Sequence, residues 1–295
     1  MIPLSDTSKA VLVIICAVAA LAMGDALIRQ SSASISVWQM FALRSGLAIP
    51  VILAIIALFA RGAFHRPRRP GWTILRSGLM VLMWVFYYAA LPHVPLSVAA
   101  AGYYTSPLFI TLLAALVTGM RITPMQWAAV GVGFVGVLLI IRPGSSDLSI
   151  YAVLPIASAI LYALAMILTA TRCRDEHPVM LALALNIAFV VAGAVAMLAA
   201  PTGAELAPNF APGWIAMTPE IWRVMGILAV AILIGSLGAA YAYQKGPAAV
   251  VGTFDFAYVG FSALWGWLIF LERPDALSSA GIALIVLAGL MALRR

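Results

Sequence analysis

Charge is what this sequence has least of. Only 9% of its 295 residues are Asp, Glu, Lys or Arg, against 64% in the AVILMFWYC set, and the mean hydropathy is +1.09. Soluble domains carry about 25% charged residues. A water-facing surface cannot be covered at this density, so a soluble enzyme or a secreted domain is excluded. Cysteine is nearly absent. Cys16 lies in an apolar run and Cys173 in a charged loop, which leaves no disulfide framework. The three histidines, His65, His93 and His177, fall at loops or segment ends, and no Cys/His cluster has metal-ligand spacing. HExxH, the paired-Asp prenyl-diphosphate motif and the phosphate-cradling Gly-rich loop are all missing. No catalytic residue, metal or cofactor is therefore expected, and any work the chain does draws on a gradient rather than on ATP.

What is present is apolar length. Charge-poor segments fall at about 10–29, 36–60, 72–92, 96–118, 124–141, 150–171, 178–200, 221–244, 247–270 and 276–293. Spanning about 30 Å of hydrocarbon takes about 20 apolar residues per helix, so the expected fold is all-α and integral to the membrane, with ten spans. The net charge of +7 sits mostly in short loops. With the N-terminus inside, twelve Lys/Arg (Arg76 counted among them) fall on the inner side, and Arg29, Arg142, Arg223 and Arg273 on the outer. This asymmetry places both termini in the cytoplasm and accounts for the basic balance without a nucleic-acid partner. The long loop from Ala200 to Glu220 has no Lys or Arg, as suits the outer face.

The chain also repeats. A shift of 152 residues puts Pro95 on Pro247, Phe109 on Phe261, Leu112 on Leu264, Leu116 on Leu268 and Arg121 on Arg273 without a gap. Five spans are an odd number, so a second copy enters the membrane from the opposite side. Such inverted repeats are a common plan of secondary transporters, with the substrate site near the midplane between the copies. Pro107 has Val259 as its mate, so a proline kink in the fourth span is expected to break the twofold.

Particular stretches resemble a known family. Ala90-Leu-Pro-His-Val-Pro-Leu-Ser, Thr105-Ser-Pro-Leu-Phe, Gly119-Met-Arg-Ile-Thr, Gly131-Val-Gly-Phe-Val-Gly-Val and Ile141-Arg-Pro-Gly, echoed by Leu271-Glu-Arg-Pro and Gly281 to Gly289, resemble the drug/metabolite transporter superfamily, EamA type. Met120 stands where that family carries Glu, whereas Glu272 keeps it. The resemblance implies two five-helix units, residues 1–147 and 148–295, in a multi-pass protein of the bacterial inner membrane. It implies export of small organic metabolites, amino acids first and aromatic ones among them, by a chain that can act as a monomer. Uptake or exchange of a nucleoside, vitamin or adenosyl compound is the alternative. A membrane-embedded lipid-modifying enzyme is the rival from another class, and the repeat argues against it.

Three ionisable residues lie inside spans: Asp25, Arg44 and Asp255. Such residues face a bundle interior or a wet cavity. Asp25 and Arg44 are expected to form a structural ion pair that locks two helices, or else to serve as an outer gate or substrate-charge contact; Arg29, four residues along the same helix, is the alternative partner for Asp25. Asp255 has no evident partner and shares a helical face with Tyr258, Ser262 and Trp265, as Tyr241 does with Lys245. Trp84, Tyr87, Tyr88, Tyr103 and Tyr104 cluster in the third and fourth spans. Trp84, Tyr88, Tyr103, Tyr241, Asp255 and Tyr258 are the candidate substrate contacts, because deep aromatics with hydroxyls suit a small amphipathic organic solute. Packing is the alternative for each.

Overall fold

The computed structural model describes residues 6–31, 35–59, 68–90, 93, 99, 102–119, 122–141, 151, 153–199, 214–255, 257–271 and 275–293. Among them the regular structure is helical throughout: α1 (Asp6–Ser31), α2 (Val37–Phe59), α3 (Pro70–Ala90), α4 (Ser106–Thr118), α5 (Pro124–Ile141), α6 (Val153–Ala170), α7 (Pro178–Ala199), α8 (Pro219–Lys245), α9 (Ala248–Phe254), α10 (Ala257–Phe270) and α11 (Ala276–Leu293). Hydrocarbon leaves no water to satisfy backbone groups, so intrahelical bonding is the solution open to single segments. Six of these helices, α1, α2, α3, α6, α7 and α8, contain stretches long and apolar enough to cross a membrane, and α4 holds a shorter apolar stretch. Leu58, Ile74, Leu116 and Leu198 are 69–87% exposed. Apolar surface of that extent is unstable in water and at home against lipid tails.

The helices pack in matched pairs. α1 lies against α8, and α3 against α6; α2 lies against α7, and α5 against α11; α1 meets α10 as α4 meets α6. Small residues set the closest approaches. A Cβ added at Gly238 of α8 would meet the Cβ of Ala17 on α1 at 2.8 Å, and one at Gly193 of α7 would meet the Trp38 carbonyl oxygen at 2.5 Å and the Ala42 nitrogen at 3.0 Å. The latter neighbours are backbone atoms of α2, so relief requires moving a helix. Gly193→Ala is expected to cost about 1–3 kcal/mol, measured as a lower thermal midpoint of the purified protein. An unchanged midpoint would mean that α2 and α7 part without penalty.

Two segments differ from the sequence expectation. The stretch 247–270, read as one span, is two helices that part between Phe254 and Ala257. Ahead of α4, helix at residues 102–103 gives way to a turn at 104–105. Pro107 sits in the first turn of α4, where its missing N–H and fixed φ are no handicap. It therefore starts a helix rather than kinking one. Tyr103 and Asp255, which the 152-residue shift superimposes, border these two interruptions.

Polar ties hold both ends of the bundle. At the start of α2, Gln39 Nε2 donates to the Ile215 carbonyl and the Ile215 N–H donates to Gln39 Oε1, each at 2.9 Å. At the opposite end, Arg76 is fully buried; its Nε donates to Thr169 Oγ1 (2.8 Å) and its Nη1 to the Leu181 carbonyl (3.3 Å). The sequence reading counted Arg76 as a loop charge; it lies inside α3 and binds α6 and the start of α7. Gln244 Nε2 donates to the Cys173 and Glu176 carbonyls at 2.8 and 2.6 Å, fastening the α6–α7 turn to the end of α8.

Candidate functional site

Both aspartates expected inside spans are gripped by pairs of tyrosines. Asp25 on α1 accepts on Oδ1 from the Tyr88 hydroxyl of α3 (3.2 Å) and on Oδ2 from the Tyr258 hydroxyl of α10. Asp255, at the interruption between α9 and α10, accepts on Oδ2 from Tyr162 of α6 (3.1 Å) and from Tyr243 of α8. Its Oδ1 is buried without a hydrogen-bond partner among the described residues. Four helices thus converge on two carboxyls through neutral donors, which stabilise a buried carboxyl without adding a second charge.

A column of rings joins the two carboxyls. Tyr103 lies 5.7 Å from Tyr162, 6.5 Å from Tyr258 and 5.5 Å from Tyr87, centroid to centroid. Tyr104 meets Tyr258 at 5.1 Å. Trp84 stacks on Tyr88 at 5.1 Å with 28° between planes, and meets Tyr87 edge-on at 5.9 Å. Most of these rings are buried, Trp84 at 5% and Tyr88 at 1% exposure. Offset and edge-to-face contacts of this kind suit the ring quadrupole, and the same surfaces suit the flat face of an organic solute.

Arg44 stands at the edge of this column. Its guanidinium carbon lies 4.7 Å from the Phe189 ring centroid, 5.0 Å from Phe41 and 5.9 Å from Trp84. It is within electrostatic reach of Asp25, yet the two do not form the ion pair expected from the sequence. The ion pairs among the described residues are Lys9–Asp6 and Arg223–Glu220, both exposed. The physical reason is local supply: hydroxyls occupy both oxygens of Asp25, while aromatic faces and the neighbouring Tyr88 hydroxyl surround the cation.

Of the sequence candidates, Trp84, Tyr88, Tyr103, Tyr258, Asp25 and Asp255 come together here, with Arg44 beside them. Tyr241 does not. It is half-buried and lines an apolar groove between α1 and α8 with Leu12, Cys16 and Ile234. Tyr243, two residues on and therefore about 200° around the helix, takes the place beside Asp255. Tyr243 was missed because pairing Tyr241 with Lys245 favoured another face of α8; Tyr162 lies on α6, a helix from which the sequence offered no candidate. A better signal was available in α6, where Ser158, Tyr162, Met166 and Thr169 form a buried stripe at helical spacing. Met120, Arg121, Glu272 and Arg273 lie outside the described residues.

Chemically, the cluster offers stacking surfaces, hydroxyl groups, one unoccupied carboxyl oxygen and a cation. No group of three or more His, Cys, Asp or Glu that could hold a metal ion occurs among the described residues. Cys173 in the α6–α7 turn is fully buried, and burial pushes its thiol up, partly offset by the Arg76 guanidinium, so it is a poor nucleophile.

The EamA-like transporter family model matches residues 8–142. A riboflavin transporter of Rhizobium johnstonii is 31% identical over 268 residues, covering 89% of this chain and 81% of that one. A pseudopaline exporter of Pseudomonas aeruginosa is 28% identical over 265 residues, covering 90% and 88%. An S-adenosylmethionine uptake transporter of Rickettsia prowazekii is 24% identical over 246 residues, covering 81% and 77%. A solved crystal structure superimposes with a TM-score of 0.76 at 18% identity, over 97% of this chain and 96% of that one, which shows a shared fold. Relatives named as transporters, and a fold of packed apolar helices around a buried polar and aromatic cluster, lead to one assignment. The chain belongs to the EamA-like transporter family of the drug/metabolite transporter superfamily, and is a multi-pass transporter of the bacterial inner membrane.

Proposed function

We propose that this transporter exports small organic metabolites, amino acids with aromatic or apolar side chains first, through a cavity between residues 1–147 and 148–295. The observation that carries the reading is the column of rings closed at both ends by tyrosine-held carboxyls. Rings accept a flat or apolar side chain, and the unpartnered Oδ1 of Asp255 can accept from an ammonium group, for which a buried carboxylate is the natural partner. The chain then crosses the membrane ten times, with both termini inside, and the two five-span halves alternate access. The matched packing of α1 on α8 with α3 on α6, and the interruptions at corresponding positions, support two related halves of opposite orientation.

The relatives favour a second reading. Two of the three compared proteins are named for riboflavin and S-adenosylmethionine, so uptake or exchange of a vitamin or an adenosyl compound rests on comparable support. Counterflow in proteoliposomes separates the two. Labelled L-phenylalanine and L-tryptophan are expected to exchange faster than riboflavin or S-adenosylmethionine, and to emerge chemically intact. Exchange of the vitamin or adenosyl compound alone would replace the amino-acid reading, and chemically altered label would indicate an enzyme.

Orientation is tested by labelling with an impermeant maleimide. The native chain is expected to remain unlabelled, since Cys16 sits within an apolar helix and Cys173 is buried. Trp214→Cys, at a position 59% exposed ahead of α8, is expected to label from outside intact cells. Asp175→Cys, exposed in the α6–α7 turn, is expected to label only after permeabilisation. The reverse pattern would overturn the proposed topology.

A further inference from the structure

We propose that Arg44 is the recognition site for the carboxylate of the transported solute. This deepens the reading above and rests on it. Arg44 is 3% exposed within α2, and a guanidinium so placed needs compensation. Phe41, Phe189 and Trp84 supply part of it by lying against the charged group at 4.7–5.9 Å. Rings satisfy the charge but accept none of the in-plane N–H groups. Nε and Nη2 are both buried and have no hydrogen-bond partner among the described residues. These two nitrogens form one side-on edge of the guanidinium, where their N–H bonds run parallel, and that edge matches the two oxygens of a carboxylate.

Two acceptors lie in electrostatic reach of the guanidinium, the Tyr88 hydroxyl and Asp25, and neither hydrogen-bonds Nε or Nη2. Both oxygens of Asp25 accept from Tyr88 and Tyr258, and no ion pair to Arg44 forms. The edge therefore remains for an external acceptor. Aromatic walls on several sides favour a ring-bearing organic acid over a strongly hydrated phosphate. Asp255 with its unpartnered Oδ1 supplies the opposite charge elsewhere in the cluster, so an amino acid would have one partner for each of its charged groups.

The test uses the purified full-length protein and matched probes that differ only at the acid: L-phenylalanine against L-phenylalaninamide, and 3-phenylpropionate against 3-phenylpropionamide. Affinity is read from the ligand-dependent shift in thermal midpoint. The wild-type protein is expected to bind each acid at least about tenfold more tightly than its amide, the scale of a charge-assisted bidentate contact. Arg44→Gln is expected to abolish that preference while still binding both amides, and Arg44→Lys to keep only part of it, having charge without the fork. Equal affinity of acid and amide for the wild-type protein overturns the proposal without recourse to any variant. Preference for inorganic phosphate over both acids, lost in Arg44→Gln, also overturns it by reassigning the edge to phosphate. If none of the four organic probes binds, the reading of the site as an amino-acid cavity fails, and this inference fails with it.

Discussion

Asp255→Asn is expected to reduce transport per folded molecule by at least about tenfold. The substitution preserves shape and leaves an oxygen for Tyr162 and Tyr243, whose hydroxyls reach Oδ2 in the parent. It removes the charge that an ammonium would need, and it replaces the unpartnered Oδ1 with an amide group when the amide oxygen takes the tyrosine side. Hydrogen bonds to charged groups contribute about 1.5–3 kcal/mol, and each 1.4 kcal/mol is a factor of about ten, which sets the expected loss. Counterflow and pH-driven net flux are measured on the same proteoliposomes. Loss of both, strongest for amino acids, is the result expected of an ammonium contact. Retained counterflow with failed pH-driven flux would make Asp255 a proton site instead. Parental behaviour in both assays would leave it a structural residue at the interruption between α9 and α10.

Trp84→Ala is expected to act on the fold and on transport at once, and the two effects separate. Trp84 is 5% exposed, stacked on Tyr88 and set against Tyr87. Truncating a buried tryptophan costs about 3–5 kcal/mol, so the yield of folded protein and its thermal midpoint both fall. Transport of aromatic amino acids, normalised to folded protein, is expected to fall further, by at least about tenfold. Trp84→Phe keeps a ring facing Tyr88 and Arg44 and is expected to recover much of the midpoint and part of the flux. Flux that simply tracks the amount of folded protein in both variants would retire Trp84 as a substrate contact.

Membrane residence, helical class and family were legible in the sequence because hydropathy and loop charge are local and additive: a run of apolar residues identifies itself without knowledge of its neighbours. The cost of burying charge likewise singled out Asp25, Arg44 and Asp255 before any helix was placed. Pairing is not local. Tyr88 is 63 residues from Asp25, Tyr162 is 93 from Asp255 and Tyr258 is 233 from Asp25, and no periodicity within one helix reports which hydroxyl arrives from another. Hence the expected Asp25–Arg44 ion pair gave way to tyrosine–carboxyl bonds and a cation among rings. Face assignment failed for the related reason that α8 is apolar on several sides, so a two-residue choice between Tyr241 and Tyr243 turned on which neighbour packs there. The interruption before α10 carries no proline or other local breaker in its described residues; it coincides with the side chain of Asp255 reaching Tyr162 and Tyr243, and that contact exists only in the assembled bundle.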